Sequence, residues 1–388
     1  MQRAVIVGGG IGGLSAAIAL RKIGYEAQAY ERAAELREVG SGMSLWPNAV
    51  RCLQEIAPRA LEKLRPGNRR LLRILVKDSG GTLVKAIRFP ETDFAGIAVH
   101  RAELHAALAE EVPADCIHLN HTFSGLEIHG AAAVVKFSNG VKVLADLVVG
   151  SDGVRSAVRT AIGRDCALSA RGYVVWRGMT SHAPHADFRS LGLEQEGDFS
   201  ESYGHGQRFG IIYMGAGRVH WYATSNTSEL RAVQLPRDQV CERFAAWHAP
   251  IPNLIRNSES VILSGVQDGL LSLPWSKGSI ALLGDAAHPV SPNLGQGACL
   301  AIEDAVVLAA SLKSNTEIAA ALVQYEQSRF RRCREIMLTS REMGRLAQIQ
   351  NRALVRLRKS FFAIAPAAVT TFWFRRSWNF YPPALATA

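Results

Sequence analysis

At 388 residues, 48% hydrophobic and 20% charged, the chain is too long for one simple core and reads as two packed domains of globular composition. Its formal net charge is +10, yet residues 321–388 hold 12 Lys and Arg against 3 Asp and Glu, which leaves only +1 for the first 320. An excess confined to one end excludes a surface-wide nucleic-acid footprint, and no apolar run reaches the roughly 18 residues of a membrane span. The six cysteines, at 52, 116, 166, 241, 299 and 333, form no CxxC pair and no metal-ligand spacing. They read as reduced thiols of a cytoplasmic protein rather than as a disulfide framework or a metal centre.

The N-terminus, MQRAVIVGGGIGGLSAAIAL, sets a basic residue before an apolar stretch, but its glycines would break the helix of a secretory signal. Ala4 to Val7 predicts a short buried strand, and Gly8-x-Gly10-x-x-Gly13 a turn into the helix LSAAIALRKIG. Gly8 permits the tight turn, Gly10 lets a pyrophosphate approach the backbone, and Gly13 lets helix and strand pack closely. The phosphate charge would be met by N–H groups at the helix start and by the helix dipole. A second strand, EAQAY, ends at Glu31, whose carboxylate can accept both hydroxyls of an adenosine ribose; Arg32 beside it is grouped with the same site. Glutamate at that tip favours FAD or NAD over a 2′-phosphorylated nucleotide. A lone GxGxxG is also an ordinary tight turn, but here strand, glycines, helix, second strand and acid fall in register.

Further along, LLRILVKDSGGTLVKAIRF predicts a hairpin turning at SGG. ADLVVGSDGVRSAVR, residues 145–159, is an apolar strand ending in Asp152-Gly153 before a polar helix start. Residues 166–264 change to short β-rich runs such as GYVVWRGMT and RFGIIYMGAGRVHWYATS. An apolar run, SIALL, then enters GDAAHPVSPNLGQGACLAIED, residues 284–304, which sets an aspartate, two prolines and three glycines before a helical pattern.

With these three motifs in order, the sequence resembles the single-component (group A) FAD-dependent aromatic hydroxylases over nearly the whole chain, to about residue 340. The resemblance implies an α/β fold with a Rossmann-like FAD-binding domain of the glutathione-reductase type, discontinuous over 1–70, 97–165 and 265–316. An inserted β-sheet substrate domain would take 71–96 and 166–264, and a basic helical segment 317–388. It implies that Asp285 hydrogen-bonds the ribityl chain of FAD, and that Pro292, Gly295, Gln296, Gly297 and Ala298 wrap the pyrimidine end of the flavin. Asp152 and Gly153 would support FAD near the path of NADH or NADPH. Arg101 would contact the flavin or the pyrophosphate, and Ser44 and the backbone of Phe123 would line the cofactor channel. NAD(P)H, visiting a surface groove without a second GxGxxG, would reduce the flavin; O2 would add at C4a, and the distal oxygen would pass to an electron-rich ring carbon. Taken singly, Asp285 reads equally as a helix cap and Arg101 as a surface ion pair. His288, beside Pro289, reads equally as structural or catalytic.

The candidate pocket lining is Trp176, Arg177, Arg208, Tyr213, His220 and Tyr222, of which Arg208, Tyr213, His220 and Tyr222 are the catalytic candidates. Strand alternation puts His220 and Tyr222 on one face and Trp221 on the other, without saying which looks inward. Urate hydroxylases of the same family use an arginine and a tyrosine from this region. Arg208 matches the arginine, but His220 stands in place of the tyrosine. A histidine could take the proton of a phenol or enol. For each of these residues the plainer reading, a packed aromatic or a satisfied core histidine, stands beside the catalytic one.

In the tail, Arg341, Arg345, Arg352, Arg356 and Lys359 form one helical stripe and Leu346, Ile349, Leu354, Leu357 and Phe361 another, ahead of aromatics around Arg375-Arg376. A membrane surface, the FAD domain or a dimer partner would each accept such a segment, so monomer and homodimer both stay open. HRAELHAAL, SPNLGQGA and the basic tail also resemble the alkylquinolone hydroxylases, which makes a hydrophobic quinolone or phenol the expected aromatic substrate. The rival readings are an epoxidase or halogenase of the same fold, although no WxWxIP-type motif is present, and a non-catalytic FAD-binding protein attached to a membrane.

Overall fold

The computed structural model describes residues 1–36, 41–64, 69–89, 94–130, 132–181, 188–227, 237–269 and 272–385. The apolar runs AVIV, LVVG and IAL form the centre of a six-stranded sheet, because strands buried on both faces need side chains without polar atoms. Its order is Ser276–Lys277, Ile280–Leu282, Leu147–Gly150, Arg3–Val7, Glu26–Tyr30 and Ile117–His118, parallel except for the first strand. Ala4 and Ile6 face the glycine-turn helix, Ile11–Lys22, and the helix Gly297–Ser314. Val5 and Val7 face a three-stranded sheet over 123–145 through Val135 and Phe137. Alternation of burial along one strand thus sets two cores on two sides.

The β-rich middle forms a seven-stranded sheet in the order Ser260–Gly269, Leu168–Ser181, Arg218–Asn226, Gln207–Gly215, Asp198–Tyr203, Arg73–Asp78, Leu83–Arg88. The last two are the expected hairpin, and it joins the sheet through a parallel pairing of Arg73–Asp78 with Asp198–Tyr203. Trp176, Phe209, Tyr213 and Trp221 point to an outer face sealed by Phe244, Trp247 and Ile251. Their alternate neighbours Val175, Arg177, Arg208, Ile212, His220 and Tyr222 point to the inner face, over the nucleotide-type sheet. Two residues expected in the pocket, Trp176 and Tyr213, therefore lie on the wrong side of a two-residue period.

The C-terminal segment departs from one continuous stripe. The helix Ile318–Ala347 stops, and a new one runs over Arg352–Ile364, capped by Asn351, whose side chain accepts from the Ala353 and Leu354 N–H groups. Arg358 is buried and donates to the carbonyls of Leu346, Ala347 and Gly204, satisfying the end of the preceding helix. A second tail helix, Ala367–Trp378, is anchored by Trp378 stacked on Trp46 at 4.8 Å and by Phe374 against Phe89 at 5.3 Å. No helix among the described residues is long and apolar enough to cross a membrane.

Candidate active site

A cavity of about 530 Å³ runs from the glycine turn, beneath the seven-stranded sheet, to the second tail helix. At its nucleotide end Gly8 has φ +109°, and a Cβ there would stand 2.5 Å from the Ser151 carbonyl oxygen. A Cβ on Gly13 would lie 1.9 Å from the Gly8 oxygen, whereas one on Gly10 would meet nothing within 4 Å. Two glycines are thus demanded by packing, and the third leaves open space on the cavity side. Glu31 accepts from the Gly9 N–H at 2.7 Å and the Ala33 N–H at 3.0 Å, and His105 Nε2 lies 2.6 Å from the Gly9 oxygen. The turn is held from behind, so Gly10, Ile11 and Gly12 face the cavity. Arg32 is exposed beyond it.

Ser44, Arg101, Gly153, Asp285, Pro292, Gly295, Gly297 and Ala298 also line this part. Asp285 stands on a short turn, Gly284–Ala286, with its side chain open to the cavity. Its deep position pushes its pKa up, against the pull of His288 and Arg101. Gly295, at φ +62°, lets the chain turn close under Trp46, whose indole N–H donates to the Leu294 oxygen at 3.0 Å. Three expected residues act differently. Asp152 caps the helix Ala157–Ala161 through the N–H groups of Ala157 and Val158, with its other oxygen buried and unpartnered. Gln296 turns inward and accepts from Asn48 at 2.9 Å. Phe123 begins a strand of the three-stranded sheet and packs on its core, outside the cavity wall.

Beneath the Asp285 turn, Asp304 accepts from the Gly284 N–H at 2.9 Å, from His288 at 2.5 Å and from Arg329 at 2.6 Å. Burial favours its neutral form, but His288 and Arg329 hold it down at about 2. His288, whose role the sequence left open, is a buried strut of this turn and lies outside the cavity wall. Cys333 stands close by, so that His288, Asp304 and Cys333 offer ligand atoms within 4.8 Å of one another; Arg329 already neutralises the carboxylate.

At the sheet end, Arg208, Tyr222 and His220 share the inner face, as their spacing predicts. Gly210 lies opposite Tyr222, and the ring lies flat over it: a Cβ there would stand 2.2 Å from the ring. Arg208 sits 5.4 Å from the centre of the Tyr222 ring, so an arginine–tyrosine pair is present. His220, two residues earlier on the same face, has its ring centre 6.3 Å from that of Tyr222. Glu201, which the sequence reading missed, ties the group together. Its carboxylate accepts from the hydroxyls of Tyr222 and Tyr203, and from Arg208 Nη1 at 3.3 Å. Arg208 Nη2 donates to Asn293 at 3.0 Å, which links this group to the flavin-type turn. Burial opposes the charge on Arg208, but Glu201 raises its pKa. His220 is pulled down to about 3 by burial, with Nδ1 against the Gly178 oxygen at 3.1 Å. The signal for Glu201 was present in DFSESY, where Phe199, Glu201 and Tyr203 recur with the period of a strand, although its polar residues read as loop.

The remaining wall is apolar. Ile74, Val76 and Ile87 of the hairpin face Phe362, Val369 and Phe374 of the tail. The tail therefore closes the cavity, a role the sequence did not suggest.

Chemically, the turn with open space at Gly10, the carboxylate at the cavity wall and the helix start at Gly297 fit a dinucleotide ending in a flat ring. A family described as FAD binding domain matches residues 1–340. The chain is 34% identical to aurachin C monooxygenase/isomerase of Stigmatella aurantiaca, over 89% of this chain and 90% of that protein. It is 31% identical to 2-heptyl-3-hydroxy-4(1H)-quinolone synthase of Pseudomonas aeruginosa, over 94% of each. It is 30% identical to the FAD-dependent urate hydroxylase of Klebsiella pneumoniae, over 88% of this chain and 89% of that one. The solved structure of Klebsiella pneumoniae HpxO complexed with FAD and uric acid superimposes with a TM-score of 0.87 at 25% identity, covering 98% of this chain and 97% of that one. The chain belongs to the single-component FAD-dependent aromatic hydroxylases. It is an FAD-dependent monooxygenase of aromatic substrates.

Proposed function

We propose that this enzyme takes electrons from NADH or NADPH and hydroxylates an aromatic or heteroaromatic ring with an acidic N–H or O–H at one edge and an apolar substituent at the other. The observation that carries this reading is the asymmetry of the cavity wall: Glu201, Arg208 and Tyr222 on one side, hairpin and tail hydrocarbon on the other. Two relatives carry quinolone or aurachin names, one of them specifying a heptyl group, which supports the same choice.

In this reading residues 1–70, 97–165 and 265–316 hold FAD, 71–96 and 166–264 hold substrate, and 317–388 close the site. Gly8, Gly10, Gly13 and Glu31 take the adenosine and pyrophosphate, while Asp285, Arg101 and the Pro292–Ala298 turn take the ribityl chain and ring. Bound FAD supplies the oxygen chemistry, passing one atom of O2 to the substrate. The protein's share is orientation, exclusion of water and management of one proton. Glu201, acting through the Tyr222 hydroxyl, receives the ring proton, and Arg208 stabilises the anion that remains. His220, held neutral, offers a hydrogen bond rather than a base poised near neutral pH. Phe374 and Val369 cover the apolar substituent.

The test is NAD(P)H consumption by the purified yellow protein across 2-alkyl-4-quinolones, the unsubstituted quinolone, urate and salicylate. The expected result is stimulation that grows with alkyl length. Stimulation by urate alone would overturn the substrate class, and a protein that stays colourless after reconstitution would overturn the cofactor.

A further inference from the structure

The first tail helix, Arg352–Ile364, presents two different apolar sets. Phe362 packs inward beside buried Arg358. Leu354, Leu357, Phe361 and Ile364, spaced three, four and three apart, form one stripe that faces solvent at 50, 65, 45 and 81% exposure. A helix that is docked on the protein and still shows a continuous apolar stripe has a second surface to satisfy. Among the described residues, 14 large hydrophobic side chains are exposed, and six of them lie in the two tail helices. The patch is thus local to the tail.

It is also placed at the cavity. Phe361 and Val369 are both exposed and in the cavity wall, so the stripe runs to the rim of the substrate site. The tail's own charge has one sign, with Lys359 paired to Asp78 and Arg376 to Glu335 from outside it. No Asp or Glu follows Glu342 in the sequence, and Arg352 and Arg356 on this helix and Arg375 on the next are exposed.

We propose that the two tail helices dock the enzyme on an anionic lipid bilayer, with the Leu354–Ile364 stripe in the acyl boundary and the cavity rim at the membrane surface. An apolar stripe flanked by arginines matches an interfacial helix, whose binding adds hydrocarbon burial to attraction by anionic headgroups. A second copy of the chain fits less well. A two-fold contact would bring the same patch against itself and set its arginines together without an acid in the tail to meet them. Docking would let an apolar substrate pass from lipid into the cavity without crossing water. That consequence rests on the substrate reading above; the docking itself does not.

The full-length holoprotein should float with phosphatidylcholine vesicles containing phosphatidylglycerol, bind weakly to phosphatidylcholine alone, and be released by high salt. The double variant Leu357→Asp, Ile364→Asp touches neither the cavity wall nor the helix docking face. It should keep its flavin absorbance and melting temperature while losing vesicle binding by at least about tenfold. Arg352→Glu with Arg356→Glu should abolish the preference for anionic vesicles. The proposal is overturned if the wild type floats with neither vesicle, or if the double aspartate variant floats as the wild type does. It is equally overturned if ultracentrifugation finds a dimer that the aspartates dissociate while no vesicle binding occurs. Flotation is read without turnover, so its failure and that of the substrate reading are separate results.

Discussion

Two buried charged groups lie on either side of the flavin-type turn, and they use the same chemistry differently. Below it, Asp304, Glu303, His288, Arg329 and Arg332 neutralise one another: Arg329 reaches Glu303 at 2.7 Å and Asp304 at 2.6 Å, and Arg332 reaches Glu303 at 2.6 Å. None of these side chains lines the cavity. Above it, Glu201 and Arg208 are also buried but line the cavity. A buried ion pair is weak evidence for stability, since desolvation cancels much of the attraction. What separates the two is which of them lines the cavity. The closed group holds the Asp285 turn to the helix Ile318–Ala347, and the open one forms part of the cavity wall.

Breaking the closed group should give the largest effect. Asp304→Ala strands His288 without its carboxylate, leaves Arg329 with Glu303 alone and frees the Gly284 N–H, at a cost of about 3–5 kcal/mol. Thermal unfolding should drop by several degrees, and FAD should be released early as the Asp285 turn loosens. A holoprotein that melts unchanged would remove the distinction between the two groups. Breaking the open group should affect turnover more than stability. Glu201→Gln keeps the shape and both tyrosine contacts, so the flavin should stay bound. Substrate-stimulated turnover should fall about a hundredfold. Unchanged turnover with a lower melting temperature would make Glu201 structural only.

The same division governs what the sequence could reveal. The cofactor end is written in backbone requirements: Gly8 and Gly13 tolerate no Cβ, Gly295 needs a left-handed turn, and each sits at a strand-to-helix junction whose apolar pattern announces it. Asp285 and Arg101, which line the cavity, stand out in the sequence because their motifs fall in order. The substrate end is written in side chains whose meaning depends on which strand face is covered. The two-residue period paired His220 with Tyr222 correctly, but only the packed outer core shows that Tyr213 and Trp176 turn away. Glu201 was hidden in a polar segment, and the covering tail could not be foreseen. Its position depends on the contacts of Trp378 with Trp46 and of Phe374 with Phe89, residues 332 and 285 positions earlier in the chain. Arg358, which ends the long helix by capping its last carbonyls, reads in the sequence as one more basic surface residue.

The smallest effect separates the two groups by the sign of a titration. His220, on the open face, is held at about 3 against an ordinary 6.5 because burial disfavours its charge. The folded protein therefore keeps this ring neutral where the unfolded chain would bind a proton. Its contribution to stability is complete above pH 6.5 and is lost progressively as pH falls from 6.5 toward 3. His288, in the closed group, has the reverse sign: although burial lowers its pKa, Asp304 raises it well above 6.5. Its contribution is complete below pH 6.5 and is lost as pH climbs through the raised value. His220→Gln can keep a donor to the Gly178 oxygen without a titrating ring, so its melting temperature should fall less steeply than the wild type's between pH 6.5 and about 4. His288→Gln should instead lower the melting temperature most on the acid side of neutrality. Parallel curves for wild type and both variants would mean that neither ring is coupled to folding, and that the two groups do not differ in charge state as their geometry requires.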